Sequence, residues 1–310
     1  MSHHHHHHQV ATPKNLSGIF LFCIFLNLAF VAIEAGIGFF TGSLGLLSDA
    51  GHNLSDVFSL VLALIAFSLA KVKASERYTY GYKKSTILIS LLNAVLLLVA
   101  VGGILIESIH KFNNPEPING TAISMTAGIG ILVNGLTAWL LLRQSQHDLN
   151  VRGAYLHMAA DTLVSIGVFV SGIIITQTGW SIIDPIISIL IAIVILLSTW
   201  HLLSQSLRLT LDGVPNHIDR TAILALLESQ KGVQAVHHLH IWALSTTEVA
   251  LTAHLVIDNI QEHATVKHTI KHLLADHGIT HSTLETETSD CHCHDADCSS
   301  HCHVKTSSLA

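Results

Sequence analysis

Six long apolar runs constrain this chain more than any other feature of its sequence. Each reaches the roughly 20 residues that an α-helix needs to cross a hydrocarbon core about 30 Å thick. The runs occur at about 19–40, 46–70, 86–108, 119–142, 152–176 and 184–206. Only 12% of the residues are charged, against roughly 25% in soluble domains. We therefore predict an all-α bundle of six transmembrane helices within residues 15–210.

Basic residues lie almost entirely in alternate connections between these runs. Nine Lys and Arg residues flank one side of the predicted bundle, and Lys111 is alone on the other side. The nine are Lys14, Lys71, Lys73, Arg77, Lys83, Lys84, Arg143, Arg152 and Arg208. By the positive-inside rule the first side is cytoplasmic, and six spans place both termini there. The net charge of −6 and the lack of a basic patch argue against a nucleic-acid partner.

The composition changes to that of a soluble domain after residue 210. Helical periodicity at 218–230 and 263–277 alternates with three strand-like segments, "VHHLHIWAL", "VALTAHLVI" and "THSTLETE". The first two of these segments read as an antiparallel pair. The order α-β-β-α-β predicts a small cytoplasmic α+β domain over residues 211–288, with its helices on one face of the sheet.

Both ends of the chain are rich in histidine. Residues 1–14 contain the run His3–His8, which is either an affinity tag or a native His-rich leader and is excluded from fold reasoning. The segment 289–310 is polar and predicted to be disordered, and it holds four of the five cysteines. In a reducing cytosol such a cluster favours metal over disulfides. Its candidate ligands are Cys291, His292, Cys293, His294, Cys298, His301, Cys302 and His303.

Two H-x-x-x-D motifs lie inside apolar runs. "SDAGHNLSD" contains His52 and Asp56 in the second run, and "GAYLHMAAD" contains His157 and Asp161 in the fifth. An ionised carboxylate at a bilayer centre costs about 2.5–3.5 kcal/mol on insertion scales, so each Asp needs a partner. Because side chains four residues apart share one helix face, two neighbouring helices can direct both pairs at one point. Two imidazoles and two carboxylates match the ligands of a tetrahedral Zn²⁺ site.

Other interpretations of these polar residues stay open. Both pairs could simply satisfy each other or fix helix register, although two pairs of identical spacing favour a metal site. Asp49 either lines the same cavity or caps the start of the second helix. Glu34 and Asn93 are equally ambiguous, and we assign them no ligand role.

Several motifs together resemble the cation diffusion facilitator family. They are "GSLGLLSDAGHNLSD", "VRGAYLHMAADTLVSIGV", the "DP" that opens the sixth run, and "HHLHIWAL" in the soluble part. The resemblance covers about residues 15–288 and is strongest to the bacterial branch that exports zinc, cadmium and cobalt. Some members have Asp in place of the first His, and this sequence matches the His branch at His52.

The resemblance implies a homodimer in the bacterial inner (cytoplasmic) membrane that exchanges metal for protons. It implies a transport site of His52, Asp56, His157 and Asp161, and a ferredoxin-like, metallochaperone-like cytoplasmic domain. It also places regulatory metal sites on that domain, where the best matches are His237, His254 and His263 with Glu285 or Glu287. The alternative is that these side chains are only exposed polar residues of the strands and the helix. The family's last-strand ligands are often His and Asp, so the two Glu residues depart from the pattern. Zn²⁺ is then both cargo and a regulatory ligand, and no organic cofactor is expected.

The ligand chemistry favours proton-coupled transport over two other functions. Imidazole binds metal only when neutral, and its ordinary pKa of about 6.5 lies between cytosolic and acidified external pH. The chain contains no G-x-x-x-x-G-K-[ST] nucleotide motif that could power transport. An intramembrane zinc hydrolase would typically carry H-E-x-x-H, which does not occur. A metal sensor or scaffold would not need six spans with four ligands.

Overall fold

The computed structural model describes residues 16–41, 44–113, 120–146, 148–180 and 182–288. The predicted leader at 1–14 and the Cys/His-rich tail from 289 onwards lie outside these residues. Asp49 and His52 belong to a described helix, but their side chains lie outside the described part of the chain.

Six long helices account for the first two thirds of the chain, which confirms the predicted helical bundle. They are α1 (Leu16–Thr41), α2 (Leu44–Leu69), α3 (Ser85–Asn113), α4 (Gly120–Leu142), α5 (Leu149–Thr178) and α6 (Ile183–Thr210). Among the described residues, five of them are long and apolar enough to cross a membrane. The exception is α2, in which the described apolar stretch is the shorter segment Asp56–Leu69.

Helix α5 is packed on two sides, which makes it the centre of the bundle. One side shares an apolar cluster with α1, α2 and α4, and the other shares a cluster with α3 and α6. The first cluster contains Phe20, Cys23, Leu60, Ala63, Ala138, Leu141, Val151, Ala154 and Met158, and the second contains Val101, Ala160, Ala192 and Ile195. A side chain on α5 can therefore be enclosed by helices on either side.

Local sequence signals set both ends of α5. The Asp148 carboxylate accepts hydrogen bonds from the backbone N–H groups of Asn150 and Val151, which otherwise lack partners in the first turn. At the other end Gly179 adopts φ 73° and donates its N–H to the carbonyl of Ile175. Helix α5 thus begins three residues before the apolar run at 152–176 and ends two residues after it.

The C-terminal part forms the predicted α+β domain in the predicted order. Its elements are α7 (Arg220–Glu228), β1 (Val233–Ala243), β2 (Val249–Ile257), α8 (His263–Asp276) and β3 (His281–Glu287). The sheet order is β1-β2-β3, with β1 antiparallel and β3 parallel to β2. Both helices bury residues such as Leu227 and Ile270 in one core with Leu251 and Leu255 of β2, so both cover the same face of the sheet.

The chain divides into two compact units. Residues Ala74–Ile87, which run from the connection after α2 into the first turn of α3, belong to the C-terminal unit rather than to the bundle. Within that unit Lys83 donates to Glu248, 2.5 Å away, and Tyr80 Oη lies 3.2 Å from Nε2 of His281. Both partners are on the α+β domain, so this connection is held by polar contacts to the β1–β2 turn and to the start of β3.

Candidate metal centres

The first centre joins α2 and α5 through Asp56 and His157. Nε2 of His157 donates a hydrogen bond to Oδ1 of Asp56 over 2.7 Å, although the two residues are 101 positions apart. Asp56 is 1% exposed and His157 5% exposed. On the protein surface, water would solvate such a pair. A buried carboxylate and a buried imidazole instead need specific protein or metal partners.

Asp161 completes a group of three ligands. Its Oδ2 lies 3.6 Å from Nε2 of His157, one helical turn further along α5. One ligand atom from each of Asp56, His157 and Asp161 lies within 4.8 Å of the others. The predicted fourth ligand, His52, is one turn before Asp56 on α2, and its side chain is outside the described part.

The charge of this group favours a bound cation. Oδ2 of Asp56 is buried and has no hydrogen-bond partner among the described residues. Two carboxylates face one described imidazole in this group, an oxygen-rich set of ligand atoms that suits a cation. Carboxylate oxygen and imidazole nitrogen are ligands that Zn²⁺ accepts at about 2.0–2.2 Å, which small side-chain movements would allow here.

Apolar neighbours hold the three ligands in place. Leu60 follows Asp56 by one turn on α2, and Ala154 and Met158 flank His157 on α5. All three are buried in the same cluster, so packing of these residues fixes the approach of the two helices. In both motifs, apolar residues thus stand beside His and Asp in the sequence and pack around them in the structure.

A supporting contact joins α1 to α2 at Asn53, the residue that follows His52 in the sequence. Asn53 donates through Nδ2 to Oε2 of Glu34 over 2.7 Å, joining α2 to α1. Glu34 is 5% exposed, so this hydrogen bond stabilises a buried carboxylate. Glu34 is ambiguous from the sequence, and the only sequence signal of Asn53 is that it is a polar residue inside an apolar run.

The second centre lies on the sheet of the α+β domain. His237 of β1 and His254 of β2 are opposite each other in the antiparallel register. Glu287 of β3 reaches both: its Oε1 accepts from Nδ1 of His254 at 2.6 Å, and its Oε2 lies 3.3 Å from Nε2 of His237. These three form the second group of ligand atoms within 4.8 Å.

The two other predicted ligands occupy the margin of this centre. The Glu285 carboxylate lies 3.5 Å from Nε2 of His254, but its side chain is 66% exposed. His263 is the exposed first residue of α8 and is not one of the three grouped residues. The sequence could not decide between Glu285 and Glu287, because residues two apart on a strand share one face.

A strand irregularity brings a further histidine to this centre. The β1–β2 register shifts between His237 and His240, and His238 has φ 48°. This left-handed conformation is uncommon for a residue other than glycine. It places the His238 ring 5.2 Å from that of His237 and 5.0 Å from that of His254. Strict alternation along β1 would have turned the His238 side chain to the opposite face.

The protonation of His237 is adapted to metal binding. Burial lowers the pKa of His237 below its ordinary value. The Glu287 carboxylate opposes this shift, and the neighbouring rings of His254 and His238 add to it. The imidazole of His237 is therefore neutral near pH 7, as a metal ligand must be.

Comparison with known proteins identifies the family. The family profile described as "Cation efflux transmembrane domain" matches residues 20–210, and "Cation efflux protein, cytoplasmic domain" matches residues 215–289. The cadmium, cobalt and zinc/H(+)-K(+) antiporter of Bacillus velezensis is 41% identical over 282 residues, 89% of this chain and 90% of that protein. The zinc transporter ZitB of Escherichia coli K12 is 35% identical over 301 residues, 95% and 96% of the two chains. The metal cation efflux system protein CzcD of Cupriavidus metallidurans is 37% identical over 269 residues, 86% and 85%.

These matches confirm the resemblance that the motifs indicated. The profile for the membrane part covers more than half of the chain, and the relatives align with it over most of their length. The chain belongs to the cation diffusion facilitator family of cation efflux transporters, in its zinc, cadmium and cobalt branch.

Proposed function

We propose that the chain exports Zn²⁺ by proton antiport, and that it also carries Cd²⁺ and Co²⁺. The ligands are His52 and Asp56 of α2 with His157 and Asp161 of α5, in a tetrahedral site. The relatives support the choice of transported ion: one is a cadmium, cobalt and zinc/H(+)-K(+) antiporter, and another is a zinc transporter. The function is transport rather than catalysis.

One observation carries this proposal. Asp56, His157 and Asp161 come from two helices and bring their ligand atoms within 4.8 Å of one another inside an apolar bundle. Buried ionisable groups in a membrane domain are costly and mark ion or proton pathways. His52 would supply the fourth ligand from the turn that precedes Asp56.

Proton coupling follows because Nε2 of His157 can bind either a proton or the metal ion, but not both. An ionised Asp56 carboxylate can only accept, so in the 2.7 Å hydrogen bond between them the proton belongs to Nε2 of His157. A metal ion needs the lone pair of that same nitrogen, so metal binding must release the proton and proton return must weaken metal binding. Exposure of the site to the cytoplasm would favour the metal, and exposure to a more acidic outside would favour its release.

The basic residues and the family membership support the proposed membrane location, orientation and oligomeric state. We assign the chain to the bacterial inner membrane with both termini in the cytoplasm, because nine basic residues flank that side of the bundle. We assign it a homodimeric state, with the α+β domain over 211–288 and the transport domain over 15–210. The partners are the metal ions, protons, the lipid bilayer and a second copy of the chain.

The centre on the α+β domain would bind regulatory Zn²⁺. His237, His254 and Glu287 supply the three converging ligands. Glu285 and His263 would complete the coordination, since Glu285 already lies 3.5 Å from His254. This centre would regulate transport by binding cytoplasmic metal, and it would not carry the transported ion.

Transport in proteoliposomes tests the proposal. Purified protein reconstituted with a fluorescent zinc indicator inside should take up Zn²⁺ when the lumen is acidic, and dissipating the pH gradient should slow uptake. Zinc uptake that ignores the pH gradient would refute proton antiport. Absence of uptake in vesicles that contain folded protein would refute transport and leave a sensor or scaffold role.

A further inference from the structure

A set of buried polar atoms lies near the first centre without protein partners. Both amide atoms of Asn93, Oδ1 of Asn150 and Oγ1 of Thr199 have no hydrogen-bond partner among the described residues. Asn93 is 4% exposed, Asn150 3% and Thr199 0%. By contrast the buried amide of Asn27 donates to Oγ1 of Thr137 at 2.9 Å and to the Cys23 carbonyl. Oδ1 of Asn134 on α4 and Oε1 of Gln144 also lack a partner among the described residues, but both residues lie outside α3, α5 and α6.

These atoms belong to α5 and to the two helices that pack on one side of it, α3 and α6. A Cβ added to Gly153 of α5 would lie 3.4 Å from Nδ2 of Asn93 on α3 and 3.6 Å from Cδ2 of Leu202 on α6. Gly167, further along α5, faces Ile187 and Ile191, which precede Leu202. Helices α5 and α6 are therefore antiparallel, and Thr199, three residues before Leu202, lies near the level of His157.

The polar atoms form a path along α5. At about 100° per residue, Asn150, Gly153, His157 and Asp161 all fall within an arc of about 80° on this helix. Asn150 lies about 10 Å before His157 along the axis, and the Asn93 amide lies beside Gly153 between them. The path begins at the first turn of α5 and ends at the first metal centre, where Oδ2 of Asp56 also lacks a described partner.

We infer that Asn93, Asn150 and Thr199 line a hydrated chamber through which a partly hydrated metal ion reaches His157. This inference rests on the proposed transport function. Buried amides and hydroxyls without protein partners are satisfied by bound water, and water that already contacts oxygen ligands can be shared with a divalent cation. Asn93 is the positioning residue, because its donor and its acceptor both lack a described partner and its Nδ2 lies beside Gly153, between Asn150 and His157.

Thiol accessibility tests the chamber without measuring transport. In a background with all five native cysteines changed to serine, we compare the Thr199→Cys and Ala192→Cys variants. Ala192 is on the same helix and is 0% exposed, but it packs in the apolar cluster. A water-soluble methanethiosulfonate reagent should modify the Thr199→Cys variant about tenfold faster or more, since thiol reaction requires access to water. Equal, slow modification of both variants would overturn the chamber.

Substitution of Asn93 tests its role in the native background. The Asn93→Leu variant should take up zinc about tenfold more slowly, the factor expected for one lost hydrogen bond to a charged or hydrated ion. The Asn93→Ser variant, which keeps a polar group, should recover most of the rate. Zinc affinity of the solubilised protein should stay unchanged in both variants, because neither removes a ligand.

The two experiments separate this inference from the proposed function. Fast thiol modification without zinc transport would leave the chamber and refute the exporter. Zinc transport at the wild-type rate in the Asn93→Leu variant, with slow modification at position 199, would leave the exporter and refute the chamber.

Discussion

Replacing Asp56 with asparagine removes a charge from the first centre while keeping its shape. The amide oxygen of the Asp56→Asn variant can still accept the hydrogen bond from Nε2 of His157, so the contact between α2 and α5 is preserved. What the variant loses is a charged ligand at a residue that is 1% exposed. We therefore expect a folded dimer that does not transport zinc.

The size of the effect can be bounded from below. A hydrogen bond to a charged group is worth about 1.5–3 kcal/mol. Since 1.4 kcal/mol is a factor of ten, loss of the Asp56 charge alone should weaken zinc binding by about 10- to 150-fold. A metal–carboxylate bond is stronger than a hydrogen bond, so the measured loss should reach or exceed this range.

Calorimetry on a chain limited to residues 15–288 would measure this loss without metal bound by the terminal segments. The His237→Gln substitution in all samples removes a ligand of the second centre. The matched control is Asp148→Asn, which makes the same charge change on α5 while asparagine still caps the helix. Zinc affinity of the Asp56→Asn variant within threefold of the control would refute the assignment of Asp56 as a ligand.

Three further predictions follow from the same geometry. The His52→Asp variant should still bind zinc, lose preference for cadmium and accept manganese better, because carboxylate oxygen is a harder ligand than imidazole; an unchanged zinc-to-cadmium uptake ratio in vesicles would mean that His52 is not a ligand. Deletion of residues 289–310 should leave the maximal zinc uptake rate nearly unchanged, since a loose chelator only raises local supply, and a lost rate would make that segment part of the path. In chelator-treated protein, thermal stability should fall as pH drops through about 6.5, because burial lowers the pKa of His237 and the unfolded chain takes up that proton first. The His237→Gln variant should show a weaker pH dependence of its melting temperature, and an equal dependence would refute the assignment.

The fold could be predicted because its strongest patterns are local. Apolar runs of spanning length produced the helices, and alternation with turn signals produced the α-β-β-α-β order. The pairing of α2 with α5 followed from the two motifs of equal spacing, since His52–Asp56 and His157–Asp161 both face one side of their helix. The spacing of polar residues along each helix therefore indicated which two helices are in contact.

Features that depend on distant contacts could not be predicted in the same way. The register shift at His238 reverses the side expected from alternation, and nothing in "VHHLHIWAL" marks it. The association of Ala74–Ile87 with the α+β domain depends on partners such as Glu248 and His281, more than 150 positions away. The unequal positions of Glu285 and Glu287 depend on how far each side chain reaches from β3 toward β1.

X-ray absorption at the zinc edge tests the four-ligand transport site most directly. The sample is the chain limited to residues 15–288 with His237→Gln, loaded with one zinc ion per protomer. We predict four nitrogen and oxygen ligands at about 2.0–2.2 Å, two of them imidazole and none of them sulfur. The further substitutions His52→Ala and His157→Ala should each remove one imidazole from the spectrum. An unchanged imidazole count in either variant, or a spectrum that contains sulfur, would contradict the account.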